Sequence, residues 1–177
     1  AGVYSVQTLE RPIKGNREKV RSLITHSAQE TRQAGMLLAA QLRPGDVLLL
    51  TGDLGAGKSE LCRGIARGLG IGGPVPSPSF TILNRYEEGR LPFNHFDWYR
   101  VSGEDELLES GLDEMLDEHS VSAIEWHERA PGLLPEDCLE IRLKPLEGEQ
   151  REITFVPHGA FRALDWAAIG CAAGEEA

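Results

Sequence analysis

Basic residues are in short supply: 18 lysines and arginines stand against 28 aspartates and glutamates, a net charge of −10, with the carboxylates densest between Glu104 and Glu128. A surface of that sign repels phosphate backbones, because nucleic-acid binding rests on cations that neutralise phosphates. Tight tRNA or DNA binding by the isolated chain is therefore not expected. A solvated acidic face is the plainest meaning of the excess, and a basic protein partner would also suit it. Cysteines are few as well. Cys62, Cys138 and Cys171 are odd in number and lack metal-pair spacing, which argues against a disulfide framework or zinc site and fits a reducing cytoplasm. The five histidines show no ligand spacing either, and His95, inside an apolar run, reads as a satisfied core residue. Nowhere do 18 apolar residues run together, and Ala1-Gly2-Val3-Tyr4 carries neither a basic nor a long apolar leader segment. No membrane association and a cytoplasmic location are the expectation.

What is present suffices for one core: 177 residues, 41% of them apolar, are too few for two ordinary domains. Tyr4 to Leu9 alternates weakly like a strand, and Arg11 to Arg21 is basic and polar, with no function assignable. Ser27, followed three residues later by Glu30, forms a capping box that should open a helix running to about Leu42 and burying Ala34, Leu37, Leu38 and Gln41-Leu42. Val47 to Leu50 is a continuous apolar run, as in a strand covered on both faces, and Leu61, Ile65 and Leu69 share one face of the helix after it. Val75 to Ser79 is too proline-rich for regular structure; Thr81–Tyr86 and Phe93–Phe96 should pair as a hairpin. An acidic helix over Asp105–Glu118, a strand at Val121–Ile124, two more at Leu139–Leu143 and Glu152–Val156, and a terminal helix within Phe161–Ala172 complete the expectation.

Between the first buried strand and its helix lies Gly52-Asp53-Leu54-Gly55-Ala56-Gly57-Lys58-Ser59, the Walker A pattern. Backbone N–H groups of such a loop wrap phosphates at a helix N-terminus, Lys58 bridges β- and γ-phosphate oxygens, and Ser59 offers its hydroxyl to Mg²⁺. A glycine-rich turn that happens to contain Lys-Ser is the bland reading, and the strand-loop-helix context speaks against it. Mg·ATP or Mg·ADP is the implied ligand, and a P-loop, three-layer α/β domain with a mixed, mainly parallel sheet and an added hairpin is the implied fold. It spans residues 25–156, with 1–24 an extension and 157–177 a tail or helix. Such a site needs a second acidic group. Asp97 and Glu125 both follow strands, and for either alone a plain strand-capping acid is an equal reading. Ser77, Ser79 and Thr81 are a candidate γ-phosphate sensor or an ordinary Ser/Pro connection, and Trp126 a nucleotide contact or a core residue.

These segments, together with His95-Phe96-Asp97-Trp98-Tyr99-Arg100, Glu106 to Gly111 and Ile124-Glu125-Trp126-His127-Glu128-Arg129, resemble the TsaE (YjeE) family over about Thr25 to Phe155. Those are the bacterial P-loop ATPases of tRNA threonylcarbamoyladenosine biosynthesis. The resemblance implies a Mg-dependent ATPase, slow alone and stimulated by the partner proteins that attach threonylcarbamoyl to the adenosine beside the anticodon. It implies that Ser59 and Glu125 hold Mg²⁺, that Asp97 orients water or acts as base with Lys58 at the phosphates, and that Ser79, Trp126 and Ala28 lie at the nucleotide. Ser79 and Ser59 replace the family's threonines and keep the hydroxyl, Trp98 stands where leucine is usual, and Glu60 replaces a small hydroxylic residue. The Glu60 carboxylate should turn away from phosphate, toward Arg63 or Arg67. Two other readings stay open: a small-molecule P-loop kinase, against which Arg85, Arg90, Arg100 and Arg129 look scattered, and a nucleotide-gated binding module without turnover.

Overall fold

In the computed structural model, which describes residues 19–172, the run Val47-Leu48-Leu49-Leu50 lies in mid-sheet and is almost wholly buried, as a strand without polar alternation must be. In chain order the elements are β1 Arg21–Thr25, α1 Ala28–Ala39, β2 Val47–Thr51, α2 Lys58–Gly68, β3 Leu83–Tyr86, β4 Phe93–Asp97, α3 Glu104–Ser110, β5 Val121–Glu125, β6 Cys138–Pro145, β7 Arg151–His158 and α4 Trp166–Ile169. Among the described residues the strands form one seven-stranded sheet in the order β1-β7-β6-β2-β5-β4-β3. Its four central strands, β6, β2, β5 and β4, run parallel. The hairpin strand β3 closes one side antiparallel to β4, and β7 and β1 close the other. Leu48 and Leu50 pack under α1 and α2, whereas Val47 and Leu49 join Phe96, Trp98 and Leu107 beneath α3, giving three layers. No helix among the described residues is long and apolar enough to cross a membrane.

The Ser27 cap forms as expected, with Ser27 Oγ accepting from Glu30 N at 3.1 Å and the Glu30 carboxylate reaching back to His26 N. Helix α1 stops at Ala39, short of Leu42, although Leu42 is buried. It lies unusually close to α2: a Cβ on Gly64 would sit 2.0 Å from Arg32 O, and one on Gly35 2.4 Å from Leu61 O. The two glycines thus allow a seam of backbone against backbone.

Two expected helices are shorter. The acidic stretch breaks at Gly111, whose φ of 76° suits a C-cap, and continues only as a 3₁₀ turn at Leu112–Met115. One long helix there would stack like charges without a basic partner. After β7 the chain turns at Gly159-Ala160 and has no regular structure through Asp165, where Arg162 is held by Asp46 and Gln41 O, and Gln41 exchanges side-chain hydrogen bonds with the backbone of Asp165. Only Trp166–Ile169 is helical. Residues 21–24 lie in β1, and Phe161, Leu164, Ile169 and Cys171 pack in the core under α1 and α2, so described residues on both sides of positions 25 and 156 belong to one body. The expected strand at Tyr4–Leu9 and the basic stretch through position 18 lie outside the described residues.

Candidate functional site

Parallel β2 ends at the Walker segment, and the loop's shape follows from its small residues. Gly55 and Gly57 take φ of 82° and 104°, which side chains resist. Gly52 serves by closeness instead: a Cβ there would lie 2.7 Å from Leu143 O. Ala56 is fully buried and pins the loop to the core, and its N–H donates to Asp53 O at 2.9 Å. Gly57 caps α2 without a side-chain partner for the first-turn N–H groups, which leaves the helix N-terminus available to an anion.

Leu54, Gly55, Gly57, Lys58, Ser59 and Glu60 border a cleft of about 810 Å³, while Gly52, Asp53 and Ala56 do not. The cleft is completed by Ala28 and Thr31 of α1, Ser77 and Ser79 of the proline-rich connection, Asp97 at the end of β4, and Glu125 and Trp126 at the end of β5. Ser77 Oγ and Ser79 Oγ are 2.9 Å apart; Thr81 turns away to Asn84.

The carboxylates meet because β4 and β5 run parallel with Asp97 opposite Glu125. Glu125 Oε1 lies 3.8 Å from Lys58 Nζ, and Oε2 accepts from His95 Nε2 at 2.9 Å. Burial opposes the His95 charge, but Cys62 and the Glu125 carboxylate outweigh it and hold the imidazole above its ordinary pKa. Burial also lifts the Asp97 carboxyl; the Tyr99 N–H at 2.9 Å pulls it down, and neighbouring Glu125 pushes it up, leaving it above the usual carboxylate value. Asp97 N donates to the carbonyl of Ile82, itself a left-handed residue at φ 66°. Trp126 is left-handed too, at φ 56°, and its ring lies 4.8 Å from Tyr99 and 5.7 Å from Lys58 Nζ.

Several residues come from places that linear reading passes over. His95 is buried, as expected of a core residue, yet it fixes Glu125. The two-residue spacing of His95 and Asp97, which puts both on one face of a strand, is the signal that marks it. Arg100 and Arg129 border the cleft together with Arg151, so those arginines are not scattered; Arg85 and Arg90 lie elsewhere, bound to Asn94 and to the carbonyls of Ala39 and Leu42. Arg151 reaches from β7 to Gly55 O at 3.1 Å, Arg100 Nε donates to Ser79 O at 3.2 Å, and Arg129 lies over Tyr99 and Trp126. The Glu60 carboxylate is drawn to Arg63 at 2.8 Å, as expected, and also to Arg32 at 3.5 Å, but not to Arg67. The oxygen donors Ser59 and Glu125, with Asp97 alongside, fit the chemistry of Mg²⁺, a hard cation that takes one or two carboxylates beside phosphate oxygens and water.

The sequence profile of the family described as "Threonylcarbamoyl adenosine biosynthesis protein TsaE" matches residues 25–153. The tRNA threonylcarbamoyladenosine biosynthesis protein TsaE of Bacillus subtilis is 44% identical over 135 residues, 76% of this chain and 84% of that relative. The protein of the same name from Treponema pallidum is 39% identical over 131 residues, 74% of this chain and 96% of the relative. A crystal structure of YdiB from Bacillus subtilis superimposes with a TM-score of 0.69 at 40% identity, covering 80% of this chain and 87% of that one. With matches of this extent lying over the same segments that build the cleft, the chain belongs to the TsaE family.

Proposed function

We propose that the chain binds ATP and ADP in this cleft, hydrolyses ATP with Mg²⁺, and serves with partner proteins in the cytoplasm to attach threonylcarbamoyl to the adenosine beside the anticodon of tRNA. The observation that carries the reading is the convergence of a Walker loop with two in-register carboxylates, Asp97 and Glu125, from adjacent parallel strands. The relatives' names, which place them in tRNA threonylcarbamoyladenosine biosynthesis, support the pathway.

Lys58 and the first-turn N–H groups of α2 bind and orient the phosphates, and Trp126 and Ala28 border the nucleotide. Ser59 and Glu125 would hold Mg²⁺, with His95 keeping the Glu125 carboxylate turned toward the cleft. The cation, when bound, supplies charge neutralisation at the β- and γ-phosphate oxygens. Asp97 orients the attacking water, and its raised pKa suits a group that takes up a proton. The kinase reading draws on Arg100, Arg129 and Arg151 at the cleft, but each is engaged with the cleft's own walls, Arg100 with Ser79 O, Arg151 with Gly55 O and Arg129 with the Tyr99 and Trp126 rings. Hydrolysis is therefore the preferred chemistry.

Calorimetric titration with ADP, and turnover with and without candidate partner proteins, test the proposal. Lys58→Ala should abolish ADP binding. Asp97→Asn should spare binding and lower turnover by about 100-fold or more, and Glu125→Gln should raise the Mg²⁺ needed for activity. Undiminished ADP affinity in Lys58→Ala refutes the nucleotide site; equal effects of the two acidic changes on Mg²⁺ dependence refute the division of roles. Tight, salt-sensitive tRNA binding by the chain alone would contradict its dependence on partners.

A further inference from the structure

Arg32, Arg63 and Arg67 line a second cavity, of about 360 Å³, together with Pro74, Val75 and Pro76. In a chain of net charge −10 this is an unusual gathering of cations. Arg63 and Arg67 stand one helical turn apart on α2, a spacing at which like charges destabilise a helix. Arg32 joins them from α1 because Gly64 lets the two helices touch. Among the described residues one carboxylate, Glu60, pairs with two of the three guanidiniums, Arg32 and Arg63. Glu60 Oε1 takes Arg63 at 2.8 Å, while Glu60 Oε2 is buried, 3.5 Å from Arg32 Nε, and accepts no hydrogen bond. Arg67 donates to Ile71 O at 2.8 Å, which leaves most of its fork unused.

We propose that this cavity seats an acidic side chain of a partner protein, its carboxylate on Arg63 and Arg67 and its neighbouring carbons against the Pro74-Val75-Pro76 wall. Arg63 already binds one carboxylate, which shows the geometry to be suitable, and the uncharged wall matches a peptide better than a sugar-phosphate strand. A nucleic-acid strand longer than the cavity would also meet the field of a chain with net charge −10, whereas one side chain needs only the cavity.

The occupant would be felt at the cleft. Glu60 borders the cleft and is bound by two arginines of the second cavity, and the Pro74–Pro76 wall leads directly to Ser77 and Ser79. An incoming carboxylate competes with Glu60 for Arg63, and the released Glu60 carboxylate, in the first turn of α2, then faces the phosphates. Partner engagement thus weakens nucleotide binding, and by linkage ADP weakens partner binding by the same factor. This coupling rests on the proposed nucleotide site; the docking itself does not.

Fluorescence anisotropy on the full chain at low salt tests it, using a labelled hexapeptide with two adjacent glutamates flanked by leucine and glycine. The peptide should bind, and Arg63→Gln combined with Arg67→Gln should weaken it by about fivefold or more, the worth of one or two charge-assisted contacts. Arg43→Gln, on an exposed residue away from the cavity, should change nothing, and Arg32→Gln serves as the second variant should the double change impair folding. Absence of binding, equal binding of the glutamine version of the peptide, or indifference to both arginine variants overturns the proposal. A labelled uridine hexanucleotide that binds more tightly than the peptide, and loses affinity in the same variants, overturns the choice of a protein partner. In the coupled measurement, saturating peptide should weaken ADP binding about threefold in the parent chain and not in Glu60→Gln; no change in the parent refutes the coupling. A chain that binds peptide but no ADP at all refutes the nucleotide site and leaves the docking site standing.

Discussion

Gly64→Ala probes the seam on which the cleft's two helical walls depend. The added Cβ would meet Arg32 O at 2.0 Å, Arg32 C at 2.8 Å and Arg32 Cα at 2.9 Å, all backbone atoms that cannot rotate aside. Ordinary contact begins near 3.4 Å, so α1 must withdraw from α2 by more than about 1 Å. Overpacking of this kind costs about 1–3 kcal/mol, at the upper end where backbone must move, and the better helix propensity of alanine returns about 1 kcal/mol. A net loss of about 1–2 kcal/mol corresponds to a fall in Tm of roughly 2–8 °C for a domain of this size. The displacement also separates Ala28 and Thr31 on α1 from Lys58 and Ser59 on α2, which together border the cleft. ADP affinity should fall by about three- to tenfold, or about 0.7–1.4 kcal/mol. Thermal unfolding followed by circular dichroism and calorimetric ADP titration read the two effects, with Gly72→Ala, where nothing lies within 4 Å, as the silent comparison. If Gly64→Ala matched the parent chain in both Tm and ADP affinity, the seam would not be what holds the walls together.

Other substitutions bear on single contacts. Glu60→Thr removes the carboxylate held by Arg32 and Arg63 and supplies a hydroxyl, so ADP binding should tighten about three- to tenfold, a gain that shrinks with added salt if charge repulsion is the cause; no gain at either salt refutes this. Arg162→Ala strips the forked contact on buried Asp46, at 2.7 and 2.8 Å, and the donor to Gln41 O, and should cost about 1.5–3 kcal/mol of stability in denaturant titration. Burial pushes the thiols of Cys138 and Cys171 up to about 11, Glu140 adding to the former and Arg21 opposing the latter. At pH 8 both should resist a disulfide reagent such as Ellman's in the native chain and react at once in denaturant.

The phosphate loop is legible because its chemistry lies in eight consecutive residues bounded by a strand and a helix. Asp97 and Glu125 are visible only as acids after strands; their pairing depends on β4 and β5 being parallel neighbours in one register, which no local pattern specifies. His95 and Arg151 are harder still. The first looks like core and is core, with its function in one hydrogen bond, and the second belongs to a strand that reaches the loop only by way of β6. The hairpin, the buried stripe of α2 and the Ser27 cap follow from local periodicity and capping chemistry and take the expected form. The helix at the C-terminal end contracts to one turn because Asp46 and Gln41, more than a hundred residues away, claim Arg162 and Asp165.

The left-handed backbone of Trp126 has a consequence for how that position can be interrogated. Along an extended strand, successive side chains point to opposite faces, yet Glu125 and Trp126 both border the cleft. The reversal at φ 56° is what aims two neighbours the same way. Alanine there removes the indole but keeps the roughly 1–2 kcal/mol strain of an L-residue in that region, whereas glycine removes both. Trp126→Gly should therefore unfold about 2–8 °C higher than Trp126→Ala while losing the same ring contacts. The difference between these two truncations, rather than either one alone, measures what the chain spends to turn a strand end into a corner.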